Sequence, residues 1–167
     1  MHNTVKNLLD INNNIKVHLN KLNINSKPKI IAVSKTFKID KILPLIEYVH
    51  INFGENKVQE AIEKWTEIKK INLQINIGDE NQKSGINKAE ASHLVAYCKE
   101  IGLDLIGLMC IPPANLDPNN YFEEMNKLNK YFGFEDLSMG MSSDYLIAAQ
   151  HFATYVRVGS SIFGNRY

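Results

Sequence analysis

The sequence has few cysteines, and their positions match neither a metal site nor a disulfide framework. Cys98 and Cys110 are the only two, too few to cross-link a fold and without the spacing of paired metal ligands. This scarcity excludes the class of small secreted domains that depend on disulfides. We therefore expect a cytoplasmic protein, because a reducing compartment is the default, and we predict no metal site.

Long apolar runs and an excess of one charge are also lacking. No segment approaches the roughly eighteen apolar residues of a spanning helix, and the polar start MHNTVKNLLDINNN is not typical of a signal peptide. Nineteen basic residues stand against eighteen acidic ones, which gives a formal net charge of +1. This balance gives no electrostatic reason to expect nucleic acid or an anionic membrane as a partner. We expect one soluble globular domain over residues 1–167.

The sequence does have a regular alternation of strand and helix patterns. After a first helical pattern over residues 3–22, interrupted by a run of asparagines, helices such as 39–46 and 57–69 separate short apolar segments. The predicted strands lie near residues 30–34, 50–54, 72–78, 103–111, 135–141 and 154–164. The alternation predicts a parallel α/β sheet with helices packed outside it. Periodicity does not choose between a doubly wound sheet and a (β/α) barrel.

The first strand ends at a lysine that is a candidate for chemistry. Residues 30–33 (IIAV) are typical of a buried strand, which stops at Ser34 and Lys35. Lysines are common where strands reach the surface, so an ordinary exposed side chain is one interpretation. The other is an amine held at the mouth of a barrel to react with a carbonyl group.

Glycine and serine cluster after each of the last two predicted strands, in LSMGMSSD (137–144) and in VRVGSSIFG (156–164). In a (β/α) barrel, the loops after the last two strands commonly bind phosphate through backbone N–H groups. The hydroxyl groups of Ser142, Ser143, Ser160 and Ser161 could donate to a phosphate, and Gly159 would let the backbone approach it closely. Each cluster alone is also compatible with an ordinary turn.

Arg157 lies within a predicted strand rather than after it. Alternation in YVRVG places Tyr155, Arg157 and Gly159 on one face of the strand. In a barrel this face would point inward, and a buried arginine needs an acceptor or an anion. An edge-strand arginine in water is the alternative.

Six motifs, in one order, resemble those of a known family. They are AVSKT, FGENKVQE, LQINIGDENQKSG, GLMCIPP, LSMGMSSD and VRVGSSIFG. Together they resemble the YggS/PROSC family of pyridoxal-phosphate-binding homeostasis proteins, over nearly the whole chain. The resemblance implies a (β/α) barrel of the alanine-racemase N-terminal type, without the second β domain of the racemases.

The resemblance also implies roles for the candidate residues. Lys35 would hold pyridoxal 5′-phosphate as a Schiff base, and Arg157 would face the pyridine nitrogen. The residues expected to hold the phosphate are Ser142, Gly159 and Ser160, and those expected near the cofactor are Asn56 and Met109.

The chain departs from the family's pattern in its middle. The predicted helix that ends at TEIKK runs directly into the strand INLQINIG, where the family has two more βα units. A full barrel needs at least about 200 residues, so we predict an internal deletion and an incomplete barrel of six parallel strands. Either the strands at 50–53 and 72–77 are open edges, or they pair across the gap, and stability is low in both cases.

The leading hypothesis is an intracellular pyridoxal-phosphate homeostasis protein without established catalysis, acting as a monomer or weak dimer. An amino-acid racemase or lyase that acts through Lys35 is the enzymatic alternative, although no tyrosine is an obvious acid–base partner. A degenerate paralogue that no longer binds the cofactor is the third interpretation.

Overall fold

The computed structural model describes residues 2–34, 37, 39–54, 71–80, 82, 84–100 and 105–164. The helices are α1 (Asn3–Lys21), α2 (Ile39–Glu47), α3 (Ala91–Glu100), α4 (Asn119–Tyr131), α5 (Tyr145–Gln150) and α6 (Ser160–Phe163), and a 3₁₀ turn covers Lys88–Glu90. The strands are β1 (Lys29–Val33), β2 (Phe53–Gly54), β3 (Ile71–Ile75), β4 (Leu105–Cys110), β5 (Asp136–Ser138) and β6 (Tyr155–Val158). None of these helices is long and apolar enough to cross a membrane.

Helix α1 is continuous through the asparagine run that was predicted to interrupt it. Its buried side chains, Val5, Leu8, Ile11, Ile15 and Leu19, recur every three or four residues and form one apolar stripe. Residues 12–14 are exposed, so the asparagines lie on the opposite face and remain hydrated instead of breaking the helix. The interruption was therefore wrongly predicted.

All six strands are parallel, and their order is β2-β1-β6-β5-β4-β3. Each strand therefore pairs with its neighbours in sequence, as around a closed barrel, except that β2 and β3 form the two edges of the described sheet. In a doubly wound sheet the first strand lies at a switch point and the later strands continue outward from it. Here β1 pairs with β6, the last strand, as the first and last strands do where a barrel closes. The strand order therefore decides for the barrel type.

The described sheet is open, with β2 and β3 at its edges. The prediction of six parallel strands in an incomplete barrel is confirmed for the described part of the chain. The predicted internal deletion stays a prediction. The predicted helix 57–69 lies outside the described residues.

The two faces of the sheet differ in burial. One face is fully buried beneath the helices, through Ile30, Ala32, Leu108, Val156 and Val158. The opposite face corresponds to the barrel interior, and its large side chains are only half-buried. This face carries Ile31, Val33, Met109, Tyr155 and Arg157.

The predicted strand 154–164 is shorter than expected. Strand β6 ends at Val158, and α6 begins at Ser160 after Gly159. The apolar pair Ile162 and Phe163 belongs to this single helical turn and is buried against the core. Apolar residues after a strand were thus misinterpreted as its continuation, because burial alone does not distinguish a strand from one turn of helix.

Candidate functional site

The two glycine–serine segments meet at the carboxyl ends of adjacent strands. Strand β5 ends at Ser138 and β6 ends at Val158, and the turn after each strand carries one candidate serine. The Ser160 hydroxyl donates to the Ser142 oxygen across a distance of 3.0 Å. Two hydroxyl groups that are far apart in the sequence therefore share one point at the rim of the barrel.

The position of Ser142 depends on a tight turn over residues 140–144. Gly140 has a φ of +88°, a left-handed conformation that side chains disfavour. A Cβ atom at this position would lie 2.4 Å from the Cβ of Ala148, so the turn also packs closely against α5. The carboxylate of Asp144 accepts a hydrogen bond from the Met141 N–H at 2.6 Å and closes the turn. This turn holds Ser142 at the end of β5.

Gly159 places the second turn against the first strand. A Cβ atom added at Gly159 would lie 3.4 Å from both the Cβ and the carbonyl oxygen of Val33. Its φ of −117° is open to any residue, so close approach, rather than backbone freedom, is what a side chain would disturb. Ser160 therefore begins α6 next to the end of β1.

Arg157 projects into the half-buried face and ties three strands together. Its Nη1 donates to the carbonyl oxygen of Ser138 at 2.7 Å and to the Ser138 hydroxyl at 2.9 Å. Its Nη2 donates to the carbonyl oxygen of Cys110 at 2.8 Å. The Arg157 guanidinium on β6 is thus hydrogen-bonded to β4 and β5. These bonds give the buried arginine the acceptors that it needs.

These acceptors are neutral oxygens, which matters for the charge of the site. Burial lowers the pKa of Arg157 below its ordinary value, while nearby Cys110 and Asp144 act in the opposite direction. Arginine nevertheless keeps its proton under all physiological conditions. The site therefore contains a largely buried positive charge that attracts an anion.

Met109 lies on the same face as Arg157. It is in register with Ser138 on β5 and with Gln74 on β3. Neighbours in register point to the same face of a parallel sheet, so Met109 lies beside the serine that binds Arg157. Its half-buried side chain forms part of the barrel interior.

Lys35 and Asn56 lie outside the described residues. The neighbours of Lys35 are nevertheless described. Ser34 is buried at the end of β1, and its carbonyl oxygen accepts a hydrogen bond from the Phe37 N–H at 3.1 Å. The Phe37 ring packs on Phe163 of α6 with 4.9 Å between centroids. Phe37, two residues after Lys35, therefore packs against the helix that Ser160 begins.

Among the described candidates, the structure brings together Ser142, Gly159, Ser160 and Arg157, with Met109 on the same face. Sequence reasoning missed Asp144, which closes the Ser142 turn, and Ser138, which binds the arginine. An aspartate at the end of GMSSD is a recognisable turn residue and could have been identified from its position. The contact of Ser138 depends on strand register, which no local motif reveals.

Residues 56–167 match the family described as alanine racemase, N-terminal domain. A pyridoxal phosphate homeostasis protein from Aquifex aeolicus is 28% identical over 145 residues, a match that covers 79% of this chain and 64% of that protein. The pyridoxal phosphate homeostasis protein of Escherichia coli is 40% identical over 103 residues, covering 56% of this chain and 44% of that protein. The chain thus spans less than two thirds of the length of these relatives.

A solved structure shows the same fold. PipY of Synechococcus elongatus, in its structure with pyridoxal phosphate bound, superposes with a TM-score of 0.70. The two chains are 22% identical, and the match covers 90% of this chain and 100% of that one. At this identity the likeness concerns the fold, and it agrees with the barrel-type strand order described above.

Proposed function

The chain belongs to the family of the alanine racemase N-terminal domain, and from that membership we propose that it binds pyridoxal 5′-phosphate and serves in the homeostasis of this cofactor. The observation that carries the proposal is the 3.0 Å contact between the Ser142 and Ser160 hydroxyl groups. The names of the Aquifex aeolicus and Escherichia coli relatives support it. So does the bound ligand in the PipY structure.

The donor set fits a phosphate group. A phosphate oxygen is only an acceptor at neutral pH, and each serine hydroxyl can rotate to donate to it. The Ser160 hydroxyl donates to the Ser142 oxygen, so the two groups lie close enough to bind the same phosphate group. Gly159 lets this turn lie close to Val33 of β1, which places Ser160 at the rim of the barrel. We call Ser142, Gly159 and Ser160 the phosphate cradle.

The positive charge of Arg157 favours the same ligand. Because its hydrogen-bond acceptors are neutral, the guanidinium keeps a positive potential on this face of the sheet, which favours an anionic ligand. The same field disfavours a second positive charge nearby. We therefore propose that Arg157 disfavours the charged form of the Lys35 amine, since a nucleophilic amine must be neutral.

We propose Lys35 as the covalent anchor, with Asn56 and Met109 beside the ring of the cofactor. When bound, pyridoxal phosphate supplies an aldehyde that reacts reversibly with amines and a ring that withdraws electrons. We propose that Arg157 faces the pyridine nitrogen. A guanidinium, unlike a carboxylate, does not hold a proton on that nitrogen, so the ring withdraws electrons less strongly. This arrangement favours storing and releasing the cofactor over transforming amino acids.

We further propose that the protein works in the cytoplasm, as a monomer or weak dimer, without nucleic acid or membrane as a partner. The net charge of +1 supports this view of its partners. Light scattering across a range of protein concentrations measures the oligomeric state, and a tight oligomer at low concentration would overturn that part.

A visible absorption titration tests the proposed function. The purified chain is mixed with pyridoxal phosphate, with unphosphorylated pyridoxal and with neither. We expect saturable binding with a visible absorption band, and a much higher affinity for the phosphorylated ligand. Equal affinity for both ligands, or no saturable binding, would overturn the proposal. Release of bound cofactor to an apoenzyme then distinguishes homeostasis from mere binding.

A further inference from the structure

Asn7 of helix α1 makes a polar contact that the proposed cofactor site does not explain. Its Nδ2 donates to the carbonyl oxygen of Ile162 at 2.8 Å. Asn7 is half-buried beside the apolar stripe of α1, so the contact lies at the edge of the helix interface and not in open water. The bond joins the first described helix to the last one.

The receiving helix, α6, is only one turn long and depends on outside contacts. Within it, the Phe163 and Gly164 N–H groups donate to the Gly159 and Ser160 carbonyl oxygens, both at 2.9 Å. The last four carbonyl groups of any helix have no partner within the helix. Asn7 provides such a partner to Ile162, and so fixes the far end of the turn that Ser160 begins.

Helix α1 also reaches the element that follows the other cradle serine. The Asn14 side-chain amide lies 3.4 Å from the hydroxyl oxygen of Tyr145, the first residue of α5. Tyr145 directly follows the turn that holds Ser142. One helix therefore contacts the segments behind both Ser142 and Ser160, and the Asn7 contact is the shorter and less exposed of the two.

We propose that Asn7 is a positioning residue for the phosphate cradle, acting through the Ile162 carbonyl on the placement of Ser160. The inference rests on the proposed function, because it concerns the phosphate group of the same ligand. Asn7 does not contact the cradle itself. Loss of the Asn7 side chain therefore leaves the hydrogen-bond donors of the cradle present but changes their alignment. We expect this change to weaken binding of the phosphate group more than binding of the rest of the ligand.

The experiment compares Asn7→Asp with Asn13→Asp. The first change replaces the amide donor by a carboxylate facing a carbonyl oxygen, and the second makes the same chemical change on the exposed face of the same helix. Affinities for pyridoxal phosphate and for pyridoxal are measured on each full-length variant, together with the melting temperature. The readout is the ratio of the two affinities, which a uniform loss of stability does not alter.

We expect Asn7→Asp to reduce the preference for the phosphorylated ligand by about tenfold, an amount typical of one misaligned hydrogen bond. Asn13→Asp should keep the wild-type preference. Asn7→Ala, which removes the donor without adding a charge, should show the same loss, and Asn7→Gln should restore part of it.

The outcomes separate this inference from the proposed function. If the wild-type chain prefers pyridoxal phosphate and Asn7→Asp keeps that preference, the role of Asn7 is overturned alone. If the wild-type chain shows no preference, the proposed function falls and the inference falls with it. If neither Asn7→Asp nor Asn7→Ala folds, Asn7 serves the stability of the fold, and its positioning role is overturned.

Discussion

The hydroxyl oxygens of Ser142 and Ser160 lie 3.0 Å apart, although the two serines follow different strands and belong to different turns. Each turn, taken alone, is compatible with an ordinary loop. Their meeting brings two hydroxyl groups together, and each can rotate to donate to one anion. Substitutions at and around this contact can show whether it serves ligand binding or the stability of the fold.

Ser142→Ala removes one donor of the phosphate cradle. We expect the binding free energy of pyridoxal phosphate to weaken by about 1.5–3 kcal/mol, as for a hydrogen bond to a charged group. Unphosphorylated pyridoxal should lose far less. Isothermal titration with both ligands measures the difference, and Ser143→Ala, an exposed neighbour in the same turn, serves as the control. Equal losses for both ligands would place Ser142 away from the phosphate.

Lys35 is tested by chemical trapping. We expect borohydride reduction of the loaded protein to fix the cofactor on the peptide that contains Lys35, because reduction makes the carbon–nitrogen bond permanent. Peptide mass mapping locates the added mass, and Lys35→Ala should lose it. Trapping on Lys38 or Lys41 in the wild-type chain would assign the anchor to a different residue.

Gly140→Ala tests whether the cradle turn tolerates a side chain. The added Cβ would lie 2.4 Å from the Cβ of Ala148 at a φ of +88°, so a clash adds to backbone strain. We expect the free energy of unfolding to fall by about 3 kcal/mol or more. Gly133→Ala is the matched control, since Gly133 has a φ of +71° with nothing within 4 Å of the new atom. It should cost about 1 kcal/mol. Urea unfolding measures both, and equal costs would show that the turn moves freely away from α5.

Arg157→Lys keeps the charge but loses the planar fork that reaches two strands. We expect a loss of about 2 kcal/mol in the free energy of unfolding, because an ammonium group cannot bond Ser138 and Cys110 in the same geometry. The reverse exchange, Lys127→Arg, at an exposed pair with Glu123, should change the stability by no more than a few tenths of a kcal/mol. A fully stable Arg157→Lys variant would contradict the role of the guanidinium in joining β4, β5 and β6.

His50 gives the stability a dependence on pH. Burial lowers its pKa below the ordinary value of 6.5, and the hydrogen bonds to the carbonyl groups of Asn52 and Ile30 only partly offset this effect. The unfolded chain therefore takes up a proton at a higher pH than the folded one. Stability is fully present above pH 6.5 and declines as the pH falls from there toward the lowered pKa.

The variant His50→Asn should reduce this decline. Urea unfolding at several pH values from about 8 to about 5 measures it, and His93→Asn, on the exposed side of α3, is the control. An unchanged slope in His50→Asn would assign the decline to other groups.

Local patterns predicted the elements of this fold well where burial and secondary structure agree. The run IIAV lies within β1, and the apolar residues before Pro112 contain β4. The pattern failed at Phe163, where buried residues continue past a strand into one turn of helix. It also failed at the asparagines of α1, which a hydrated helix face accommodates.

The candidate site was predictable in its parts and not in its assembly. Glycine and serine after two successive strands predicted the proposed cradle, since such turns recur where phosphates bind. The acceptors of Arg157 are a different case. Ser138 and Cys110 belong to strands that the sequence places far from Arg157, and only the register of the sheet brings them within reach. Asn7 and Ile162 are also far apart in the sequence, and the packing of α1 against α6 brings them together.

The pairing of β1 with β6 has a consequence for how the protein is made. Lys29 and Ile30 lie in register with Tyr155 and Val156, so the central ladder joins an early part of the chain to a late one. A ribosome releases β1 long before β6, and during this interval β1 lacks its principal neighbour. Contacts of such long sequence separation also slow the final closure. The nascent chain therefore stays incomplete until β6 emerges, and a shortage of chaperones during synthesis should lower the yield of this protein more than that of a helical bundle of equal length.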